Sequence, residues 1–397
     1  MLALPRYPLA MPELPEVETI ARDLRGLVTG SRVAGVRSNW ARTLRSHAPE
    51  DFAAAVTGRE IEGVGRRGKQ LLIWLGASGA AGPVEPAAAP VEHAAGPAVL
   101  TVHLKMTGQL FVVPAATPQD RHVHLVLELV DGRELRFRDM RKFGRIGLYR
   151  RDPATGLPLD GEADGVLAAG PEPLADEFTA AHFAALLAHR RGRLKTLLLN
   201  QDFVAGVGNI YADEALWRAR LHPLRDGHTV RPGEARRLHG ALRDVLAEAV
   251  ERRGSSVDDY TAPEGDGSMQ EHLDVYQRAG EPCNRCGRPI RRIVVGGRST
   301  HFCAWCQRLT VAQRETAIGR GSAAAAMPRS GATPGSGAPA VRRGPRWTEL
   351  PGDGVLGRSP VEEALAAEKA AERARRVAAT RKAAATRRAV ARAGGSA

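Results

Sequence analysis

Met11-Pro12-Glu13-Leu14-Pro15-Glu16-Val17-Glu18-Thr19 opens the patterned part of the chain, and the reading of the later segments hangs on it. Pro15 suits the first turn of a helix. Val17, Ile20, Leu24 and Leu27 then fall on one helical face. Pro12 directly follows a methionine. Initiation at Met11 and removal of that methionine would leave a secondary amine at the chain start. An α-amino group titrates at about 7.7–8.0, so part of it is unprotonated near neutral pH. Such an amine attacks an electrophilic carbon and collapses to an iminium. Glu13 beside it is a candidate proton carrier. Read in isolation, the same residues also describe a plain helix lead-in with a solvated carboxylate. Met1 to Ala10 precede the stretch. While they are attached, the Pro12 nitrogen is a peptide nitrogen with its lone pair delocalised, and it is no nucleophile.

At 397 residues the chain has room for two or three domains, and its net charge of +13 favours a polyanionic partner. The charge is unevenly placed. Beyond residue 319 there are 15 basic and 6 acidic residues, a net of +9, so the body is only mildly basic. The 4 cysteines sit in one short cluster, which argues for metal rather than disulfides and for a reducing cytosol. No apolar run reaches membrane-spanning length, and Met1–Ala10 is too short and proline-broken for a secretory signal.

Residues 32–75 read as strands, among them Arg32 to Val36 and the apolar run Gln70 to Leu75. Lys69 enters that run from Gly65-Arg66-Arg67-Gly68; by itself it reads as an edge-strand lysine. Residues 76–97, rich in Ala, Gly and Pro, read as a flexible surface insertion. Strands resume at Val99 to Leu104 and at Val123 to Val130. Asp131-Gly132 makes a hairpin turn, with Glu134 to Arg138 as the partner strand. Residues 151–175 form a Pro- and Gly-rich crossing, and a helical part follows. Phe178, Phe183, Leu186 and Leu187 suit one amphipathic helix, and Arg231 to Arg253 make a long one. Between them, Arg190-Arg191-Gly192-Arg193-Leu194-Lys195 is a basic connector. Val204-Ala205-Gly206-Val207-Gly208-Asn209 is a Gly-rich turn opening a helix, which presents backbone N–H groups to an anion. Asn209 should sit at the helix start with its amide free. No strand precedes these glycines, which argues against a dinucleotide-binding loop.

Cys283-x2-Cys286 and Cys303-x2-Cys306 have the spacing of a tetrahedral site with four thiolate ligands, hence one structural Zn2+. Arg291 to Val295 and Ser299 to Phe302 between them read as a β hairpin with Arg298 at its turn. Gly321 to Gly357 is low-complexity linker. Val361 to Ala393 lacks the large apolar side chains a core needs; solvated tail and nonspecific DNA attachment are both open readings.

Met11 to Thr19 and the later stretches, in order, resemble the formamidopyrimidine-DNA glycosylase family, bacterial enzymes that remove oxidised purines. The resemblance runs from residue 11 to about 310. It implies an α+β multidomain fold: residues 1–10 an extension absent from the working protein, 11–175 a catalytic β-sandwich domain with a leading helix and the insertion 76–97, 176–278 a helix–two-turn–helix domain, 279–312 a zinc finger, and 313–397 a low-complexity basic tail. It implies excision of 8-oxoguanine and formamidopyrimidines through a Pro12 Schiff base, then strand cleavage at the abasic site by β,δ-elimination. Glu13 would protonate the opening sugar, with Lys69 and Arg298 assisting. Leu14 favours the oxidised-purine branch of the family.

A glycosylase must extrude its target nucleotide, and something must fill the vacated stack. Lys105 to Leu110 and Asp139 to Gly144 resemble the family's DNA-probing loops. They make Met106 and Phe143 the wedges and Arg141 the contact to the widowed base, where the residues alone would read as core and surface charge. Lys142 stands where some relatives carry a second arginine. His122, Arg190, Arg191, Lys195 and Asn209 would hold phosphates, and residues 254–276 would form a loop over the flipped base. The implied partner is double-stranded DNA carrying oxidised purines or abasic sites, met by a monomer in the bacterial cytoplasm at the nucleoid, with no membrane involved. Two other readings stand beside this one. A retained extension would leave a non-catalytic binder of lesions or bent DNA. A zinc-ribbon transcription factor would leave residues 11–150 unexplained.

Overall fold

The computed structural model describes residues 11–77, 96–159, 165–255, 267–310 and 313, all within the first of two compact units, Met1–Met327. The extension 1–10, most of the insertion 76–97, the centre of the loop 254–276 and the tail from 314 lie outside the described residues.

Helix α1 spans Leu14–Val28 with Pro15 in its first turn and Glu13 as the residue before it. The Glu13 backbone N–H donates to the Glu16 carboxylate at 2.9 Å, closing a donor that the helix start would otherwise orphan. Val17, Ile20, Ala21 and Leu24 bury the apolar face, with Leu27 half-buried beside them.

Two antiparallel four-stranded sheets follow. β1 (Val33–Ser38), β5 (Gly108–Pro114), β6 (Val123–Leu129) and β7 (Arg133–Asp139) run in the order β1-β6-β7-β5. β2 (Ile61–Arg67), β3 (Gln70–Leu75), β4 (Ala98–His103) and β8 (Arg145–Arg150) run in the order β2-β3-β4-β8. Their inner faces share one core. Leu71, Ile73, Leu100 and Val102 come from one sheet and Leu110, Leu125, Leu127, Leu135 and Phe137 from the other. Burying each such side chain is worth about 1.5–3 kcal/mol. From Leu71 onward β3 is apolar because both its faces are covered: Leu72 and Trp74 point away from the main core and pack with Val99, Tyr149 and Val166.

The reading of residues 32–75 as strands needs one correction. Pro49–Val56 is a helix, α2, and it buries Phe52, Ala55 and Val56 at helical spacing. Arg59 follows it, wholly buried, donating to the carbonyls of Ala55 (2.6 Å), Gly76 (2.8 Å) and Gly96 (2.7 Å). One guanidinium thus ties α2 to both described ends of the insertion. β8 is a strand that the sequence reading leaves out; Ile146 and Leu148 fill the main core while Tyr149 faces the other way.

The helical part holds α3 (Ala180–Ala188), α4 (Leu194–Leu199), α5 (Asn209–Arg218) and α6 (Pro232–Glu251) around Phe183, Leu198, Phe203, Tyr211, Leu238, Leu242 and Val245. Phe178 lies before α3 rather than on it, because Thr179 caps the helix with its side chain; its ring still packs edge-on to Phe183 at 5.4 Å. The last element is a hairpin of β9 (Arg291–Val295) and β10 (Arg298–Phe302). Gly296 and Gly297 turn it with φ of +57° and +74°, a two-residue turn that needs the left-handed region at both positions. The start of α1 lies where the sandwich meets the helices: Leu14 N–H donates to the Gly206 carbonyl at 3.0 Å.

Candidate active site

Glu13 is held from three sides. Its backbone is tied to Glu16 as above. Its carboxylate accepts from the backbone N–H groups of Ile210 (2.9 Å) and Tyr211 (3.4 Å), in the first turn of α5. The anion expected at this Gly-rich helix start is therefore the protein's own Glu13. Gly208 makes the approach feasible: a Cβ there would sit 2.2 Å from Glu13 Cδ. Glu16 is fixed in turn, accepting from Tyr211 Oη at 2.6 Å and from Ser255 N at 2.8 Å. Pro12 is buried next to Glu13.

Burial pushes the Glu13 carboxyl up to about 7, against the opposing pull of Lys69 and of the Ile210 N–H. Lys69 is nine-tenths buried. Burial lowers its ammonium, with Glu13 and Glu16 resisting and the charge of Arg298 adding to the fall. Glu13, with Pro12 beside it, and Arg298 thus both act on the charge of Lys69, from three separate regions of the chain. The basic pair before Lys69 serves as a strut. Arg66 and Arg67 both pair with Glu172 (2.6 and 3.0 Å), and Glu172 also accepts from Gly68 N–H at 2.5 Å. That clamp joins the turn before Lys69 to the Gly170–Pro173 crossing.

His103 belongs to this neighbourhood although the sequence reading passes it over. It ends β4 opposite Gln70, the residue after Lys69. Its Nδ1 accepts from Lys105 N–H at 3.1 Å. Burial first, then Lys105 and Lys69, push the imidazole down to about 3, so it is neutral at working pH. A lone histidine ending a strand carries no signal in sequence; only the pairing of β3 with β4 places it.

The two loops expected to probe DNA meet. Arg141 Nη1 lies 3.1 Å from Met106 Sδ, and its guanidinium stands 5.0 Å from the centroid of the Phe143 ring. Phe143 is 46 % exposed, which rules out the core reading. Asp139 sets the loop by accepting from Thr107 Oγ1, Arg141 N–H (3.2 Å) and Gly144 N–H (2.7 Å). Lys142 adopts a left-handed φ of +57° and places its ammonium 3.9 Å from the Trp40 ring centroid. His122 lies beside this loop, its carbonyl accepting from Asp139 N–H at 2.9 Å.

Two expected phosphate contacts are placed differently. Lys195 is fully buried; its Nζ donates to Asp213 Oδ1 at 2.7 Å and to the Asn209 carbonyl at 2.8 Å, so it faces no solvent. The Asn209 amide is not free, because Nδ2 donates to the Ser299 carbonyl of β10 at 2.9 Å. Lys195 is taken up by α5 itself, and Asn209 by β10 packing against the start of α5. Arg190 and Arg191, by contrast, are exposed.

The Sγ atoms of Cys283, Cys286, Cys303 and Cys306 all lie within 4.8 Å of one another. Four thiolates about 2.3 Å from a central ion suit Zn2+ and leave no open coordination position, so its role is structural. Trp217, Val275 and Ile290 pack around the cluster. Among the described residues no helix is long and apolar enough to cross a membrane.

Three family models match the chain in sequence order. They are the formamidopyrimidine-DNA glycosylase N-terminal domain over residues 11–146, its H2TH domain over 169–261, and the zinc finger found in FPG and IleRS over 280–309. The formamidopyrimidine-DNA glycosylase of Chloroflexus aurantiacus is 45% identical over 307 residues, covering 77% of this chain and 100% of the relative. Among solved structures, the wild-type Lactococcus lactis Fpg (MutM) with an N7-benzyl-Fapy-dG containing DNA matches at a TM-score of 0.63 and 32% identity, covering 75% of this chain and 100% of that one. The Lactococcus lactis Fpg with an abasic site containing DNA matches at the same values. On this sequence, fold and domain order the chain belongs to the formamidopyrimidine-DNA glycosylase family.

Proposed function

We propose that this protein excises oxidised purines from double-stranded DNA and then cleaves the abasic site, with Pro12 as nucleophile and Glu13 as proton donor. The observation that carries the reading is the buried Glu13. It is seated on the first turn of α5, pushed up to about 7, and adjoins Pro12. A carboxyl so placed still holds a proton near neutral pH and can give it up. The Pro12 nitrogen forms a bond to the sugar carbon that bears the damaged base, and the base leaves. Glu13 protonates the ring oxygen as the sugar opens. The resulting iminium acidifies the neighbouring C–H, and loss of that proton expels the phosphate on the 3′ side; the new double bond extends the acidifying effect to the C4′–H, and loss of that second proton expels the phosphate on the 5′ side. Lys69 and Arg298 lie beside these groups and offset the phosphate charge. Met106, Arg141 and Phe143 fill and read the space left by the extruded nucleotide. His122, Arg190, Arg191 and Asn209 hold the backbone, Asn209 after exchanging its bond to Ser299. The relatives' complexes with Fapy-dG and abasic-site DNA support the substrate class. The protein works in the bacterial cytoplasm, at the nucleoid through its DNA contacts.

This chemistry requires a free Pro12 amine, and the family match begins at residue 11. On this reading the working chain starts at Pro12, after initiation at Met11. Two versions test this, one beginning at Met1 and verified by mass, the other at Pro12. Both should bind lesion DNA. Only the shorter should cut it and be trapped covalently by borohydride, which reduces an iminium. Equal trapping of the longer version would remove Pro12 as nucleophile and make Lys69 the next to test. If neither version is trapped or cuts, the protein is a lesion-binding one without catalysis.

A further inference from the structure

Asp213 lies on α5 one turn beyond Asn209, and its side chain is fully buried. Its two carboxylate oxygens reach different modules. Oδ1 accepts from Lys195 Nζ at 2.7 Å, and the same ammonium also holds the Asn209 carbonyl. Oδ2 accepts from the backbone N–H of His301 on β10 at 2.8 Å, with the His301 ring Nδ1 at 3.3 Å. Asn209 Nδ2 supplies a second bond to β10, at the Ser299 carbonyl. The Tyr276 ring closes the far side of His301, edge-on at 5.2 Å.

Strand geometry gives these contacts a consequence. In an antiparallel pair, alternate residues turn their N–H and C=O groups away from the partner strand. Ser299 and His301 are alternate residues of β10, and both use that outer edge to bond α5. Arg298 is the next residue toward the turn, paired with Val295 and exposed. The position of Arg298 relative to Lys69 and Glu13 is therefore set by how β10 is seated on α5. Glu13 is bound to the first turn of that same helix. A buried ion pair adds little net stability over an apolar pair of the same volume, because its desolvation offsets the attraction; fixing a unique register is its best-attested use.

We propose that Asp213 is a positioning residue that seats the zinc hairpin on α5 through His301 and so delivers Arg298 to the site where Pro12, Glu13 and Lys69 converge. The inference rests on the proposed function only for what Arg298 does once delivered. Asparagine has the right size to replace the aspartate but cannot replace its charge. One end of its amide must turn an N–H toward either the Lys195 ammonium or the His301 N–H, so one arm is lost.

The test is a double-mutant cycle in the version starting at Pro12, read as Kd for a duplex carrying a tetrahydrofuran abasic analogue. Binding is used so that the cycle survives a loss of chemistry. Asp213→Asn should weaken binding about tenfold in the native background, the coupling expected of residues in one network, and less than about twofold beside Arg298→Ala. Zinc should remain at one per chain by metal analysis. A loss by the same factor in both backgrounds, or no loss in either, overturns the proposal. Should Asp213→Asn not fold, the joint change of Lys195→Met with Asp213→Leu removes both charges together and leaves no orphan ion; it should show the same dependence on Arg298. Failure of the functional reading itself looks different: the unmutated protein would not distinguish the analogue duplex from an intact one.

Discussion

At the scale of single residues the proposed chemistry depends on Glu13 keeping its proton. Its acid form is favoured by burial up to about 7, so the proton is present on the acid side of that value and lost as pH rises through it. Single-turnover excision should therefore fall on the alkaline side of about pH 7. Glu13→Gln should abolish excision together with that limb while leaving lesion-duplex affinity within about threefold; an unchanged alkaline limb in the variant would assign it to another group. Gly208 gives a second handle on the same carboxylate. A methyl group there would lie 2.2 Å from Glu13 Cδ, so Gly208→Ala must displace one or the other. A misplacement of about 1 Å costs about 100-fold in rate, and this is the loss expected in single-turnover cleavage. Activity within about twofold of native would mean that α5 yields without moving Glu13.

Among the elements, the β9–β10 hairpin depends most on something beyond its own residues. Five strand residues a side are marginal in water without further support. Beneath the hairpin, Cys283 and Cys303 are part of a small core with Trp217, Val275 and Ile290. Removing zinc by chelation should release that core and with it Arg298. The sandwich, which has its own core of two facing sheets, should remain folded. Hydrogen exchange should then rise across residues 291–302 and stay unchanged across 70–75, while affinity for lesion duplex drops at least about tenfold. Exchange rising equally in both segments would show the two cores to be one cooperative unit. The probing loop is built on a different plan, from the Asp139 carboxylate with its three donors, and needs no metal.

For the whole molecule, charge is distributed apart from the chemistry. The residues beyond 319 carry 15 basic and 6 acidic side chains, whereas the converging site residues all lie before 310. Each phosphate that the tail neutralises should steepen the log–log dependence of binding on salt by about one unit. Deleting residues 320–397 is expected to flatten that slope while leaving the ratio of lesion to undamaged affinity within about twofold. Affinities measured from about 50 to 200 mM salt check both, and a deletion that erased lesion preference would place discrimination in the tail.

Local features were legible wherever a residue's role follows from its neighbours in the chain. Pro15 starts α1, the Cys-x2-Cys pairs make a metal site, Asp131-Gly132 turns a hairpin, and Gln70 to Leu75 form β3, because helix starts, chelate spacing, tight turns and apolar runs are short-range physics. The Met11 to Thr19 stretch likewise pointed to the family without help from the fold. Short-range patterns misled where they were weak. α2 lies within a strand-rich region, β8 follows directly on the Asp139 to Gly144 loop, and Phe178 stands just before a helix that Thr179 caps. What only the tertiary structure decided was which groups face which. The anion at the start of α5 proved to be Glu13, 197 positions away along the chain. Lys195 was turned inward to Asp213, Asn209 was given to Ser299, and His103 was set beside Lys69. Each of these depends on packing between segments far apart in sequence, where burial and the partner's charge, not the residue type, determine whether a side chain holds a proton, a phosphate or another part of the protein.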